Sequence, residues 1–205
     1  MPDALARLSD LSAPAWLVAS VLVVSVWAWI FPPIRQRLIL NPYRVLHHGE
    51  VHRLLTAGWL HADLTHLVFN VFTLYFFAGY AVRALGPTRL VALYVSAVVA
   101  SYIPTTLRHM RDPTYNSLGA SGAVAAVMFS AILLYPKLKL TLMFLPVAVP
   151  GPLFALAYLA YSMWHSRGAG DHVNHDAHFA GAVYGALLTY VFEPARVERA
   201  IRSMF

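Results

Sequence analysis

A serine framed by small residues, in the run Ser117-Leu118-Gly119-Ala120-Ser121-Gly122-Ala123, is the first place in this chain where chemistry could be done. With only Gly119, Ala120, Gly122 and Ala123 around it, another helix or an extended peptide can come close to the Ser121 hydroxyl. A serine hydroxyl is a poor nucleophile until a base takes its proton, and a neutral imidazole, with an ordinary pKa of about 6.5, is suited to that task. The candidate base is His178, which closes the polar run Asn174-His175-Asp176-Ala177-His178. It precedes Gly181 and Gly185, whose GxxxG spacing lets a neighbouring helix backbone approach. If that neighbour carries Ser121, the imidazole can reach the hydroxyl. A tetrahedral intermediate would also need donors for its oxyanion, each worth about 2.7 to 4 kcal/mol when held in place. His66 and Asn70, spaced i, i+4 on one helix face with Thr73 continuing the stripe, can supply them, and the Ser121 N–H at a helix start would add to them. The chain has no cysteine, which excludes disulfides, a thiolate nucleophile and cysteine metal ligands.

The elements that must position these groups are membrane helices. Of 205 residues, 59% are hydrophobic and 12% charged, and the mean hydropathy of +0.60 lies outside the range of soluble domains. The net charge of +6 comes from basic residues scattered through short loops, so they read as membrane flanks and not as a nucleic-acid surface. Charge-free runs at 11–34, 64–82, 90–107, 113–136, 140–166 and 177–192 predict six crossings in one domain over 1–205, with spans about 15–31, 64–82, 90–107, 117–136, 140–163 and 176–193. The run 113–136 is long enough to cross a core of about 30 Å as a single helix. Pro32-Pro33 closes the first span, which is read as retained because Trp27-Ala28-Trp29-Ile30-Phe31 is no cleavage site for a signal peptide. A long, partly polar connection, 32–63, follows it. Lys and Arg number eight on the face of the termini and seven opposite, and the tight lysine-bearing loops put the termini in the cytoplasm.

In such a topology the second, fourth and sixth spans run in the same direction, so their first turns share one depth. His61, Asp63, His66 and Asn70, then Ser117 and Ser121, then Asn174, His175, Asp176 and His178 all meet there. Ionisable groups within a membrane are costly unless they face a partner or a wet cavity, which makes function their default reading.

This pattern resembles the rhomboid family of intramembrane serine proteases. The match runs from about Glu50 to Phe192. It rests on His61 and His66 with Asn70, on Gly119-Ala120-Ser121-Gly122 as GxSG, and on Ala177-His178 followed by Gly181 and Gly185. The resemblance implies an all-α six-helix bundle, with Ser121 as nucleophile and His178 as general base and acid. It puts His66, Asn70 and Gly119 on the oxyanion side, with His61, Gly122, Gly181 and Gly185 in support. It further implies a dyad without an acidic third member, and transmembrane protein substrates cut in the lipid bilayer near their outer end. No metal and no cofactor are expected; the site would face outward from a cell inner membrane. Two positions depart from the family pattern: His52 stands where a tryptophan often precedes the arginine matching Arg53, and Val82 stands where many members carry glutamate.

Other residues have plainer readings. Ser117 is expected to cap or start its helix, and His61 to support the first long loop. Asp63, Asp112, Asp171 and Asp176 are read as loop and helix-start acids, and Phe72 to Phe77 as lipid-facing and packing aromatics. Pro146, Pro150 and Pro152 with Gly151 are expected to bend or break the fifth span, favouring a movable gate beside Ser166-Arg167-Gly168-Ala169-Gly170. A competing function is a histidine-lined metal-binding or transport protein using His61, His66, His165, His172, His175, His178 and Asp176. Against it stand the absence of HExxH and of a carboxylate at mid-membrane. A rhomboid-like binding protein without activity is the third reading, opposed by the intact serine and histidine.

Overall fold

The structure, a computed structural model, describes residues 2–141, 147–165 and 174–204, with side chains described from residue 12. In chain order it has α1 (Pro2–Ile30), α2 (Pro32–Leu38), α3 (Pro42–His48), α4 (Arg53–Thr56), α5 (Leu64–Leu85), α6 (Pro87–His109) and α7 (Ser121–Leu134). These are followed by β1 (Lys139–Thr141), β2 (Ala148–Pro150), α8 (Gly151–His165), α9 (His175–Phe192) and α10 (Pro194–Arg202). Three helical stretches among the described residues, Ser12–Ile30, Leu64–Leu85 and Pro87–His109, are long and apolar enough to cross a bilayer. The chain is an integral, multi-pass helical membrane protein.

Helix boundaries follow local chemistry. Asp63 accepts from the His66 N–H at 2.8 Å and starts α5; Asn174 accepts from the Ala177 N–H at 3.0 Å and starts α9. Gly86, at φ +78°, turns the chain between α5 and α6, and Pro87 opens α6 at a position where a missing N–H costs nothing. Val82 is buried near the C-terminal end of α5.

Two expectations are corrected. The run 113–136 is not one helix: α7 starts only at Ser121 and has 14 residues, roughly 21 Å of rise. Residues 113–120 form an irregular segment whose backbone bonds to surrounding protein at several points. Ser117 exchanges both backbone hydrogen bonds with Leu40 at 3.0 Å, the Gly119 N–H donates to Ala57 O at 3.0 Å, and the Tyr102 hydroxyl donates to Gly119 O at 2.9 Å. Gly119 has φ +128°, a conformation foreign to a helix. Such backbone is tolerated at membrane depth when protein surrounds it. The same applies to the short α7, which packs against α5, α6 and α9 and is buried continuously from Gly122 to Ile132. Ser117 accordingly neither caps nor starts a helix. The second correction concerns the span at 140–163. Its first part is an antiparallel β1–β2 pair, and α8 begins only at Gly151. Pro150 and Pro152 flank that start, and proline cannot donate within a continuous helix. Pro146 and the glycine-rich stretch 166–170 lie outside the described residues.

The connection 32–63 folds around Arg53. Its guanidinium is buried and donates to Gln36 O at 2.8 Å, Ile39 O at 2.7 Å and the Glu50 carboxylate at 2.5 Å. Hydrogen bonds from Arg44 and then from Arg53 hold the Glu50 carboxyl down at about 2. His52 is exposed, and its Nε2 lies 3.2 Å from Arg37 O. Asn41 ties this loop to the segment preceding α7, donating to Pro113 O at 3.0 Å and Tyr115 O at 3.1 Å.

Candidate active site

The first turns of α5, α7 and α9 converge on a cavity of about 690 Å³. Ser121, as the first residue of α7, has its N–H free of any intrahelical acceptor. Its Oγ lies 2.7 Å from His178 Nε2. That distance suits a hydroxyl donating to an unprotonated ring nitrogen.

The close approach of α7 and α9 rests on glycine. A Cβ at Gly181 would sit 2.0 Å from Gly122 O, one at Gly185 would sit 2.3 Å from Ala126 O, and one at Gly122 would sit 2.4 Å from Ser101 Oγ. Gly181 and Gly185 therefore bring the α7 and α9 backbones together and set the reach of His178, while Gly122 makes room for Ser101 of α6.

His66 and Asn70 face the same cavity from α5. Asn70 spends one amide N–H on His66 O at 2.9 Å, leaving its second N–H to face the cavity. Gly119 contributes space instead of a donor, since its N–H is already bound to Ala57 O. A Cβ there would lie 2.8 Å from His66 Cε1. His61 stands behind His66, their ring centroids 4.9 Å apart and edge to face. It is 1% exposed. The Ser25 hydroxyl lies 2.9 Å from its Nδ1, and Trp29 Nε1 donates to its carbonyl at 2.8 Å. Burial pushes its imidazole down to about 3. His61 therefore fastens the end of the first long loop to α1.

The acids near the site are engaged elsewhere. Asp63 caps α5, Asp112 accepts from the Thr114 N–H at 2.9 Å and hydroxyl at 2.7 Å, and Asp176 forms an ion pair with Arg108 at 2.6 Å. Asp171 and His172 lie outside the described residues. We expect Asp176→Ala to keep kcat/KM for a single-span substrate within about threefold of the wild type, since removing an ion pair exposed on one side costs little. A loss near that of a catalytic residue would make Asp176 the orienting acid. Among the described residues, no group of three or more histidine, cysteine, aspartate or glutamate side chains is arranged to hold a metal ion.

The bridging role of Asn174 and the contact of Tyr158 escaped sequence reasoning. The Asn174 side chain caps α9 while accepting the Thr105 hydroxyl at 2.8 Å and donating to Ser117 Oγ at 3.0 Å, which joins α6, α9 and the segment before Ser121. Tyr158 of α8 stacks on the His178 ring with centroids 6.2 Å apart. No spacing rule links residue 158 to 178, because the pairing of α8 with α9 exists only in the folded chain.

Comparisons with known proteins give the family to which the chain belongs. The family profile of the Rhomboid domain matches residues 48–195. The RHOMBOID-like protein 12, mitochondrial, of Arabidopsis thaliana is 28% identical over 88% of this chain and 58% of its own length. The presenilin-associated rhomboid-like protein, mitochondrial, of Mus musculus is 29% identical over 86% of this chain and 48% of its own. The rhomboid protein YdcA of Bacillus subtilis is 34% identical over 56% of this chain and 53% of its own. The chain spans about half the length of these curated relatives. With its profile match covering most of its residues, the chain belongs to the rhomboid family.

Proposed function

We propose that the protein is an intramembrane serine endopeptidase that hydrolyses peptide bonds in or near transmembrane segments of other membrane proteins. The observation that carries this reading is the 2.7 Å contact between Ser121 Oγ and His178 Nε2, inside a cavity also lined by His66 and Asn70. In the proposed reaction, His178 takes the Ser121 proton as the oxygen attacks the scissile carbonyl, then returns it to the leaving amine. The oxyanion receives hydrogen bonds from the Ser121 N–H, His66 and Asn70. Water entering the same cavity hydrolyses the acyl-enzyme, with His178 as base again.

The architecture proposed with it is a single domain of six crossings, α1, α5, α6, α7, α8 and α9. A substrate segment that unwinds locally would present its bond to the cavity. The location proposed is a cell membrane, with cytoplasmic termini and the cavity toward the outer face. By name, the Arabidopsis and mouse relatives are mitochondrial, so the family's architecture is not confined to one membrane.

The test uses the purified full chain in detergent with a fluorophosphonate probe and a single-span reporter substrate. Peptide mapping is expected to find one adduct, on Ser121, with cleavage blocked in proportion to labelling and both unchanged by a chelator. An adduct elsewhere, or cleavage without labelling, overturns the nucleophile. Neither labelling nor cleavage would assign the chain to rhomboid-like binding proteins, and cleavage abolished by the chelator would revive the metal reading.

A further inference from the structure

At the end of α7 remote from Ser121, a second cavity of about 660 Å³ opens between the ends of α5 and α7 and one face of α10. Its wall includes Tyr80, Tyr135, Lys137, Arg196, Arg199 and Ser203, and none of the described residues lining it is acidic. Three cations around one space repel each other unless an anion shares it.

The acids closest in sequence are already used. Glu193 pairs with Arg89 at 2.6 Å, and Glu198 accepts the Tyr190 hydroxyl at 3.3 Å. Arg196 lies over the Tyr135 ring, 5.2 Å from its centroid, and donates to Ala84 O at 3.5 Å. An aromatic face and a carbonyl therefore hold this guanidinium in place, leaving further N–H donors for a ligand. Lys137 and Arg199 are exposed and have no carboxylate partner among the described residues.

Apolar surface adjoins this charge on two sides. On α10, Val197 and Ala200 pack inward while Ile201 and, just past the helix end, Met204 remain exposed, as suits a helix lying in a membrane interface. On α5, the exposed Phe76 ring lies 5.4 Å from Tyr80, and exposed Phe72 continues the strip one turn further along the same face. A phosphate-sized anion would satisfy the cations but make no use of this track.

We infer that the cavity binds the headgroup of an anionic phospholipid. Its phosphodiester lies among Lys137, Arg196 and Arg199, and one acyl chain runs along Phe76 and Phe72. Arginine supplies paired donors to phosphate oxygens and lysine a point charge, and basic pockets between membrane helices are where such headgroups bind. The site stands apart from the chemistry at Ser121.

Native mass spectrometry of the full chain in detergent, titrated with dioleoylphosphatidylglycerol or dioleoylphosphatidylcholine, tests the inference. Phosphatidylglycerol is expected to bind with one-to-one stoichiometry and about 25-fold more tightly than phosphatidylcholine, taking roughly fivefold for each of two free basic side chains. The charge-reversed pair Lys137→Glu with Arg199→Glu should lose that preference, whereas Lys137→Arg with Arg199→Lys should keep it. Excess inorganic phosphate should leave the lipid bound. Equal binding of the two lipids, an unchanged preference in the charge-reversed pair, or a lost preference in the charge-keeping pair overturns the inference. Displacement by inorganic phosphate overturns it too, in favour of a free-anion site.

Discussion

Ser121→Ala is expected to lower cleavage of a single-span substrate by about a thousandfold or more, because residues that form and break a covalent intermediate act as a unit with their base. The effect should fall on kcat, with KM nearly unchanged, since the hydroxyl does its work only as the new bond forms. Stability provides the control. Ser121 opens its helix, and its hydroxyl hydrogen-bonds the His178 ring, so an alanine there removes that contact and leaves the fold intact. The thermal midpoint should stay within a few degrees of the wild type. Cleavage persisting in the purified alanine variant would eliminate Ser121 as the nucleophile. A large drop in thermal midpoint would instead assign the lost activity to folding.

Gly181→Ala is expected to be nearly as damaging by a different route. The added methyl would meet the Gly122 carbonyl at 2.0 Å, and that neighbour is backbone that cannot rotate away. Helices α7 and α9 must separate, which costs about 1 to 3 kcal/mol as an overpacking effect. A shift of about 1 Å between Ser121 and His178 would cost about a hundredfold in rate. Gly79→Ala is the matched control, because nothing lies within 4 Å of a Cβ built there. On helix propensity alone it should stabilise by up to about 1 kcal/mol. The comparison reads both thermal midpoint and kcat/KM. A Gly181 variant as active and as stable as the Gly79 variant would show that the helices need no close approach at that point.

The polar residues at the starts of α5, α7 and α9 were legible because ionisable groups in an apolar chain are conspicuous, and because Asp63, Pro87 and Asn174 carry the chemistry of helix starts. The segment 113–120 and the β1–β2 pair were not. A charge-free run reports that a stretch is apolar, and says nothing of whether its backbone bonds to itself or to Leu40 and Ala57. Gly119 could have warned of a break, but glycine is also common inside membrane helices. The Asp176 carboxylate and the Asn174 amide could each have turned toward several partners. Their choice of Arg108, and of Thr105 with Ser117, depends on how α6 lies against α9, which no local pattern encodes.

The helix that bears Ser121 is jacketed by its neighbours from Gly122 to Ile132. Lipid tails therefore barely touch it. Whatever tilt or stretch a thicker or thinner host membrane imposes on the outer cylinders reaches this inner post secondhand, through interlocked side chains. Its residues answer to the shape of the surrounding protein, so a bulkier side chain at Ala126 or Ala131 would be refused by steric crowding long before hydrophobic matching had any say.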